Sequence, residues 1–303
     1  MSKIAKLDVS PLCLGGNVFG WTANEAESFA VLDAYAEAGG NFIDTADVYS
    51  AWVPGHRGGE SETILGKWLT ARKNRARVII ATKVGMATPR DNLRPATIRA
   101  AVEDSLKRLR TDYIDLYYAH QDDAKTPQED TLRAFDALVR EGKLRNIAAS
   151  NFSAARLGSA LALSAEHGLA RYVALQPQYN LLEREYEREL QPLLKREGVA
   201  CIPYYGLARG FLSGKYRPGV KVESPRAGKA SEYLNERGLR ALALLDQLAA
   251  RHQVPVAAIA LAWLRQQPTV LAPIASARTV AQLRELLHDV TLDAASIERL
   301  NAI

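Results

Sequence analysis

A chain of 303 residues and 33.2 kDa, 48% hydrophobic and 24% charged, has the make-up of a folded globular protein with room for one large α/β domain or two smaller ones, which excludes disorder. The formal charge of +5 is the excess of 39 basic over 34 acidic residues interspersed along helical faces, so no nucleic-acid partner is expected, although the excess would suit a phosphorylated small ligand. Two distant cysteines, Cys13 and Cys201, and five scattered histidines argue against a structural zinc or a disulfide framework. No apolar run approaches the ~20 residues of a membrane span, and "MSKIAKLDVS" lacks a secretory core, so a cytoplasmic protein is expected.

In chain order, a first strand is plausible at "SPLCLGG" (10–16), and Asn24 is placed to cap a helix that Gly39–Gly40 ends. Apolar runs follow at "NFIDTA" (41–46) and "RVIIATKVG" (77–85), then a helix carrying Ile98, Val102, Leu106 and Leu109 at helical spacing. "YIDLYYAH" (113–120) precedes a helix with Leu132, Phe135 and Val139, expected to start at a Thr126 cap and to stop at Gly142. "LRNIAAS" (144–150) leads into a Ser153-capped helix ended by Gly168, and strands recur at "YVALQPQ" (172–178), "VACIPYY" (199–205) and "TVLAPIA" (269–275). Eight strands alternating with helices predict a (β/α)8 TIM barrel, one domain over residues 1–303, with a short N-terminal capping segment and a long loop after strand 7. The doubly wound alternative lacks its GxGxxG turn, and "GFLSGKY" (210–216) has the wrong spacing for a phosphate loop.

In such a barrel, function belongs at the carboxyl ends of the strands. Read in order, those ends offer Asp44 with Tyr49 close behind, Lys83, His120, Ser150–Asn151, Gln176 and Tyr204–Tyr205. Singly, Asp44 reads equally well as a turn cap, Tyr49 as pocket lining and His120 as a hydrogen-bonded strand-end histidine. Together they suggest chemistry. Lys83 closes an apolar run and needs a partner, which Asp44 can supply. Its charge would favour the phenolate of a neighbouring Tyr49, and lowering that phenol by ~2 pKa units requires about 2.7 kcal/mol. An acidified tyrosine beside a lysine suits carbonyl reduction, in which hydride arrives at carbon while the phenol protonates oxygen.

The motifs "NFIDTADVYS", "ATKVG", "YIDLYYAH", "GKLRNIAASNFS", "QPQYNLLER" and "GLARGFLSGKY", in this order across nearly the whole chain, resemble those of the aldo-keto reductase family. The resemblance implies an NADP(H)-dependent reductase of aldehydes or ketones. Tyr49 is then its general acid, Lys83 and Asp44 tune that acid, and His120 orients the carbonyl. On the cofactor side it implies Ser150, Asn151 and Gln176 at the nicotinamide carboxamide and Tyr204 stacked on the ring. Leu207, Gly210, Lys215 and Arg226 are implied in the loop over the pyrophosphate, and Arg278, Gln282 and Glu285 at the adenosine 2′-phosphate and adenine. Gly16, Asn17, Asp44, Tyr205, Gly206, Ala208 and Ser276 complete the implied cofactor contacts. Departures from the family pattern are Ala148 for a glycine, Tyr205-Gly206 in place of Ser-Pro, and Leu286 for a frequent asparagine. Phe19, Trp21 and Trp52, in loops after the first two strands, are candidates for an aromatic wall facing a small-molecule carbonyl substrate. Monomer and homo-oligomer remain open. The alternative function is a cofactor-binding regulatory subunit resembling potassium-channel β-subunits, with little turnover.

Overall fold

The computed structural model describes residues 2–225 and 227–303. It opens with an antiparallel hairpin, β1 (Ser2–Ile4) and β2 (Leu7–Val9). Eight parallel strands follow: β3 (Cys13–Gly15), β4 (Phe42–Asp44), β5 (Ile79–Val84), β6 (Leu116–Ala119), β7 (Ile147–Ser150), β8 (Tyr172–Gln176), β9 (Ala200–Cys201) and β10 (Ile274–Ala275). They pair in the order β10-β3-β4-β5-β6-β7-β8-β9. The ring closes where Cys201 N–H donates to the Thr269 carbonyl at 2.9 Å and Ile274 N–H donates to the Pro203 carbonyl at 2.9 Å. The architecture is a (β/α)8 barrel.

All eight expected strands occur in their expected order, but the seventh and eighth shrink to two residues each. Pro203 and Pro273 explain this: neither has an N–H, so the ladder continues only through neighbouring groups such as Ile202 N–H to Leu175 O. The helices between the strands include α1 (Glu25–Glu37), α2 (Glu60–Arg72), α3 (Pro95–Leu109), α4 (Gln128–Arg140) and α5 (Ala154–His167). Asn24 caps α1 with a full capping box, and Ser153 caps α5. Thr126 does not cap α4. That helix starts after Pro127, and the Thr126 hydroxyl turns back to donate to Asp123 at 2.6 Å. The chain continues through α6 (Leu190–Glu197), α7 (Ala227–Ser231), α8 (Glu236–His252), α9 (Val256–Arg265), α10 (Val280–Leu286) and α11 (Ala294–Asn301), with the long loop after β9 between α6 and α7.

The period of two along each strand decides what lies inside the barrel. Phe42, Ala81, Tyr118, Ala148, Ala174, Ile202 and Ile274 form an apolar interior that Ile4, Leu7 and Val9 of the hairpin plug from the amino-terminal end. Two residues further along the same strands come Asp44, Lys83, His120, Ser150, Gln176, Tyr204 and Ser276. The interior therefore changes from apolar to polar within one layer, at the carboxyl end. The opposite faces pack against the helices in a second, larger core. Among the described residues no helix is long and apolar enough to cross a membrane.

Candidate active site

Of that polar layer, all but Lys83 line one hollow of about 540 Å³, together with Tyr49, Trp52, Met86, Asn151, Tyr205 and Arg209. Lys83 lies beneath it, with 0% of its surface exposed. Its Nζ donates to Asp44 Oδ2 at 2.6 Å, to the Thr45 carbonyl at 2.8 Å and to Tyr49 Oη at 2.8 Å. Three acceptors satisfy the three hydrogens of the ammonium, which is what permits the charge to be buried. Tyr49 Oη in turn donates to Asp44 Oδ2 at 3.0 Å. Aspartate, lysine and phenol thus form a closed triangle at the floor of the hollow.

The electrostatics differ from the sequence-based expectation. Burial, then the Asp44 carboxylate, raise Tyr49 well above the ordinary phenol value. The cation was expected to dominate, but a phenol that already donates to a carboxylate loses that bond on ionising, and the low-dielectric surroundings penalise its charged form. Burial likewise pulls Lys83 below the usual lysine value, against the Asp44 carboxylate, which holds it up. Tyr49 therefore keeps its proton. The His120 ring stands edge-on to Tyr49 with centroids 6.1 Å apart. Burial, with Lys83 nearby, drives His120 well below the usual imidazole value, so the ring is neutral, and its Nδ1 has no hydrogen-bond partner among the described residues.

Across the hollow, amides and hydroxyls hold one another in place. Gln176 Nε2 donates to Asp44 Oδ1 at 2.9 Å, and Ser150 Oγ donates to the Gln176 carbonyl at 2.8 Å. Asn151, in the left-handed region at φ 56°, donates from Nδ2 to the His120 carbonyl at 2.9 Å and accepts from Tyr204 Oη at 2.8 Å. Asn17 and Ser276 join the first and last strand ends through a 2.6 Å hydrogen bond.

A second hollow of about 420 Å³ adjoins the first, sharing Leu207, Arg209, Gly210 and Ser276 with it. Trp21, Lys215, Arg278, Gln282, Glu285 and Leu286 line it. Gln282 Oε1 accepts from the Arg278 N–H at 3.0 Å, which fixes the turn into α10. The two hollows make one cleft with an amide-rich end and an arginine- and lysine-bearing end. Each has the volume of a small-molecule site. The donor set suits a dinucleotide: paired amides and a hydroxyl at one end, cations for phosphate at the other.

Several expected contacts fall elsewhere. Phe19 is fully buried in the helix-facing core and lines neither hollow; its carbonyl accepts from Ser50 Oγ. Trp21 lines the second hollow, not the one beside Tyr49, and makes an edge contact at 5.5 Å with Trp52, which lines the first. Gly16 and Ala208 line neither hollow. Gly16 allows a close backbone approach instead, since a Cβ there would lie 2.9 Å from both the Asp44 carbonyl and Ser61 Oγ. Ala208 is buried within a left-handed turn. Arg226 lies outside the described residues.

Arg209, Ser213, Gly214, Val48, Met86 and Gln178 line the cleft without having been marked in the sequence. Arg209 borders both hollows because Ala208, Arg209 and Gly210 all adopt positive φ, and its guanidinium comes to lie 4.6 Å over the Tyr205 ring. The "LARG" run of the long loop was its only signal.

Known proteins are similar to this chain along most of its length. Norsolorinic acid reductase stcV of Emericella nidulans is 35% identical over 300 residues, covering 93% of this chain and 74% of that protein. The uncharacterized oxidoreductase YrpG of Bacillus subtilis is 35% identical over 309 residues, 98% of this chain and 93% of its own length. Protein tas of Escherichia coli is 35% identical over 317 residues, 95% of this chain and 92% of that protein. The Aldo/keto reductase family matches residues 11–303. An eight-stranded barrel whose polar mouth brings aspartate, tyrosine, lysine and histidine together, with that match along nearly its whole length, belongs to the aldo/keto reductase family.

Proposed function

We propose that the protein reduces an aldehyde or ketone to an alcohol using NADPH, with Tyr49 as general acid. The observation that carries the reading is the triangle of Lys83 Nζ, Tyr49 Oη and Asp44 Oδ2, closed within 2.6–3.0 Å at the floor of an open hollow. When bound, NADPH supplies the hydride. Ser150, Asn151 and Gln176 would hold its carboxamide, Tyr204 its ring, Leu207, Gly210, Lys215 and Arg209 its diphosphate, and Arg278, Gln282 and Glu285 its adenosine end.

The chain's own part is to hold a proton and release it on demand. Raised well above the ordinary value, Tyr49 is protonated across the physiological range. A carbonyl oxygen entering the hollow competes with Asp44 for the phenolic hydrogen. As negative charge grows on that oxygen the proton crosses, and the phenolate left behind keeps the 2.8 Å hydrogen bond from Lys83. Neutral His120 can donate to the same carbonyl without delivering a full charge. The acid is thus activated by the arriving substrate and not in advance.

The test is NADPH consumption over a panel of aliphatic and aromatic aldehydes, with wild type run beside Tyr49→Phe. The reading predicts turnover by wild type and a loss of ~10²–10⁴-fold in kcat for the variant, with cofactor binding retained. NADPH binding without turnover on any carbonyl would overturn it in favour of a regulatory, cofactor-sensing barrel.

A further inference from the structure

Beneath the loop that carries Tyr49 lies a second group of buried charges that the chemistry above does not use. Glu62 of α2 is fully buried; its Oε2 accepts from Arg108 Nε of α3 at 2.6 Å and its Oε1 from Thr82 Oγ1 of β5 at 2.6 Å. Arg108 also reaches Ser105. Asp47, two residues before Tyr49, is buried near enough for the charges of both Glu62 and Arg108 to act on it, and its Oδ1 has no hydrogen-bond partner among the described residues. The loop folds back tightly here: at Gly58, with φ +92°, a Cβ would lie 2.6 Å from the Asp47 carbonyl.

Counting charges shows the problem. The region holds three carboxyl groups, those of Asp44, Glu62 and Asp47, and two cations, Lys83 and Arg108. Lys83 pairs with Asp44 and Arg108 with Glu62, and no ion pair joins either cation to Asp47 among the described residues. A third, unpaired carboxylate in a closed site would meet its full desolvation cost. We propose that Asp47 is a positioning residue for Tyr49: its neutral, protonated form lets the Tyr49 loop pack onto the Glu62–Arg108 pair, and loss of that proton loosens the loop.

The groups facing Asp47 are consistent with this. Burial and Glu62 raise it, and Arg108, the Val48 N–H and Lys83 oppose them without prevailing, leaving it pushed up to about 7. Tyr117 of β6 shares the pocket, itself raised well above the usual phenol value by burial and by Asp47, and stays neutral. Asp104 acts on Arg108 from the outer side of α3. With its native value raised, Asp47 opposes folding increasingly as pH rises from the unfolded carboxylate range to about 7. Tyr49 keeps its proton throughout this window, and His120, drawn well below the usual imidazole value by burial and by Lys83, is neutral at its upper end.

The proposal rests on Tyr49 being the proton donor, so two measurements separate the readings. The first needs no substrate: intrinsic tryptophan fluorescence, to which Trp52 contributes 6.2 Å from the Tyr49 ring, is titrated from pH 5 to 9 in wild type and in Asp47→Asn, whose amide mimics the neutral acid. A transition near pH 7 in wild type that the variant lacks supports the loop lock whatever the protein catalyses. The same transition in both proteins, or in neither, overturns it. The second is the ratio of kcat at pH 8.5 to kcat at pH 6 on a turned-over aldehyde. It is expected to be several-fold lower in wild type than in Asp47→Asn, with KM for NADPH unchanged, and equal ratios would overturn the positioning role. If no aldehyde is reduced, the catalytic reading fails while the fluorescence result stands.

Discussion

Two buried aspartates stand at opposite ends of the barrel, and the contrast between them separates a site from a brace. At the amino-terminal end Asp115, 1% exposed, accepts from Arg75 at 2.7 Å, Arg145 at 2.9 Å and the Ile80 N–H at 3.0 Å. Both guanidiniums also lie on the Tyr113 ring, at 3.9 and 3.8 Å. At the carboxyl end Asp44 accepts from Lys83, Tyr49 and Gln176. Both sites combine an aspartate with a tyrosine and with cationic donors, two guanidiniums below and one ammonium above. The lower one commits its donors to structure, and none of them lines either hollow of the cleft. The upper one uses a phenol and an amide that border open space, so their hydrogens can be redirected to a ligand. Chemistry follows from donors that are satisfied but replaceable.

The largest expected effects run in opposite directions at the two ends. Tyr49→Phe should lower kcat by ~10²–10⁴-fold and cost only about 1 kcal/mol of stability, because the ring and its packing remain while one hydrogen of the Lys83 ammonium loses its acceptor. Asp115→Ala should cost about 3 kcal/mol of stability, the low end for a broken buried pair because Arg145 is half exposed and can rehydrate. Its kcat, measured where the protein is fully folded, should match wild type. Steady-state kinetics and a urea melt on each variant check both. If Asp115→Ala slowed turnover in the folded state, the separation of brace from site would fail.

A smaller effect belongs to the second hollow. Arg278 is one of the cations lining it. A charge-assisted contact of about 1.5–3 kcal/mol implies that Arg278→Ala weakens NADPH binding ~10–100-fold. NADH, which has no 2′-phosphate, should be little affected. Equal weakening of both cofactors in a fluorescence titration would place the arginine at some other phosphate.

What could be read in the sequence was whatever depends on period and strand ends. Lys83 lies two residues past Ala81 on an inward face, so an apolar run that ends in lysine marks the layer where the barrel interior turns polar, and the same offset marks Asp44, Ser150 and Gln176. What could not be read depends on backbone turns and on field strength. Phe19 turned into the core, and Arg209 was swung over both hollows by successive left-handed residues, neither of which a hydropathy pattern encodes. The direction of the Tyr49 shift depended on whether the carboxylate and burial outweigh the cation, a matter of distances that spacing does not supply. The Asp47–Glu62–Arg108 group joins residues up to 61 positions apart through two helices and a loop, and no local motif announces it.

The smallest expected effect compares one aromatic at each mouth. Tyr113 is covered by two guanidiniums, whereas Trp52 is 49% exposed and meets Trp21 and Tyr49 in edge-type ring contacts. Because much of the indole surface is already in water, Trp52→Ala should cost only about 1 kcal/mol, the size of its aromatic contacts. Tyr113→Ala, which uncovers two stacked cations, should cost more and leave kinetics alone. Trp52 borders the hollow where a carbonyl would enter, so its removal should raise KM for an aromatic aldehyde about fivefold, a loss of about 1 kcal/mol of binding, with little change for a small aliphatic one. Equal KM shifts for both substrates would mean that Trp52 shapes the Tyr49 loop and not the substrate's ring, since a displaced acid affects every carbonyl alike.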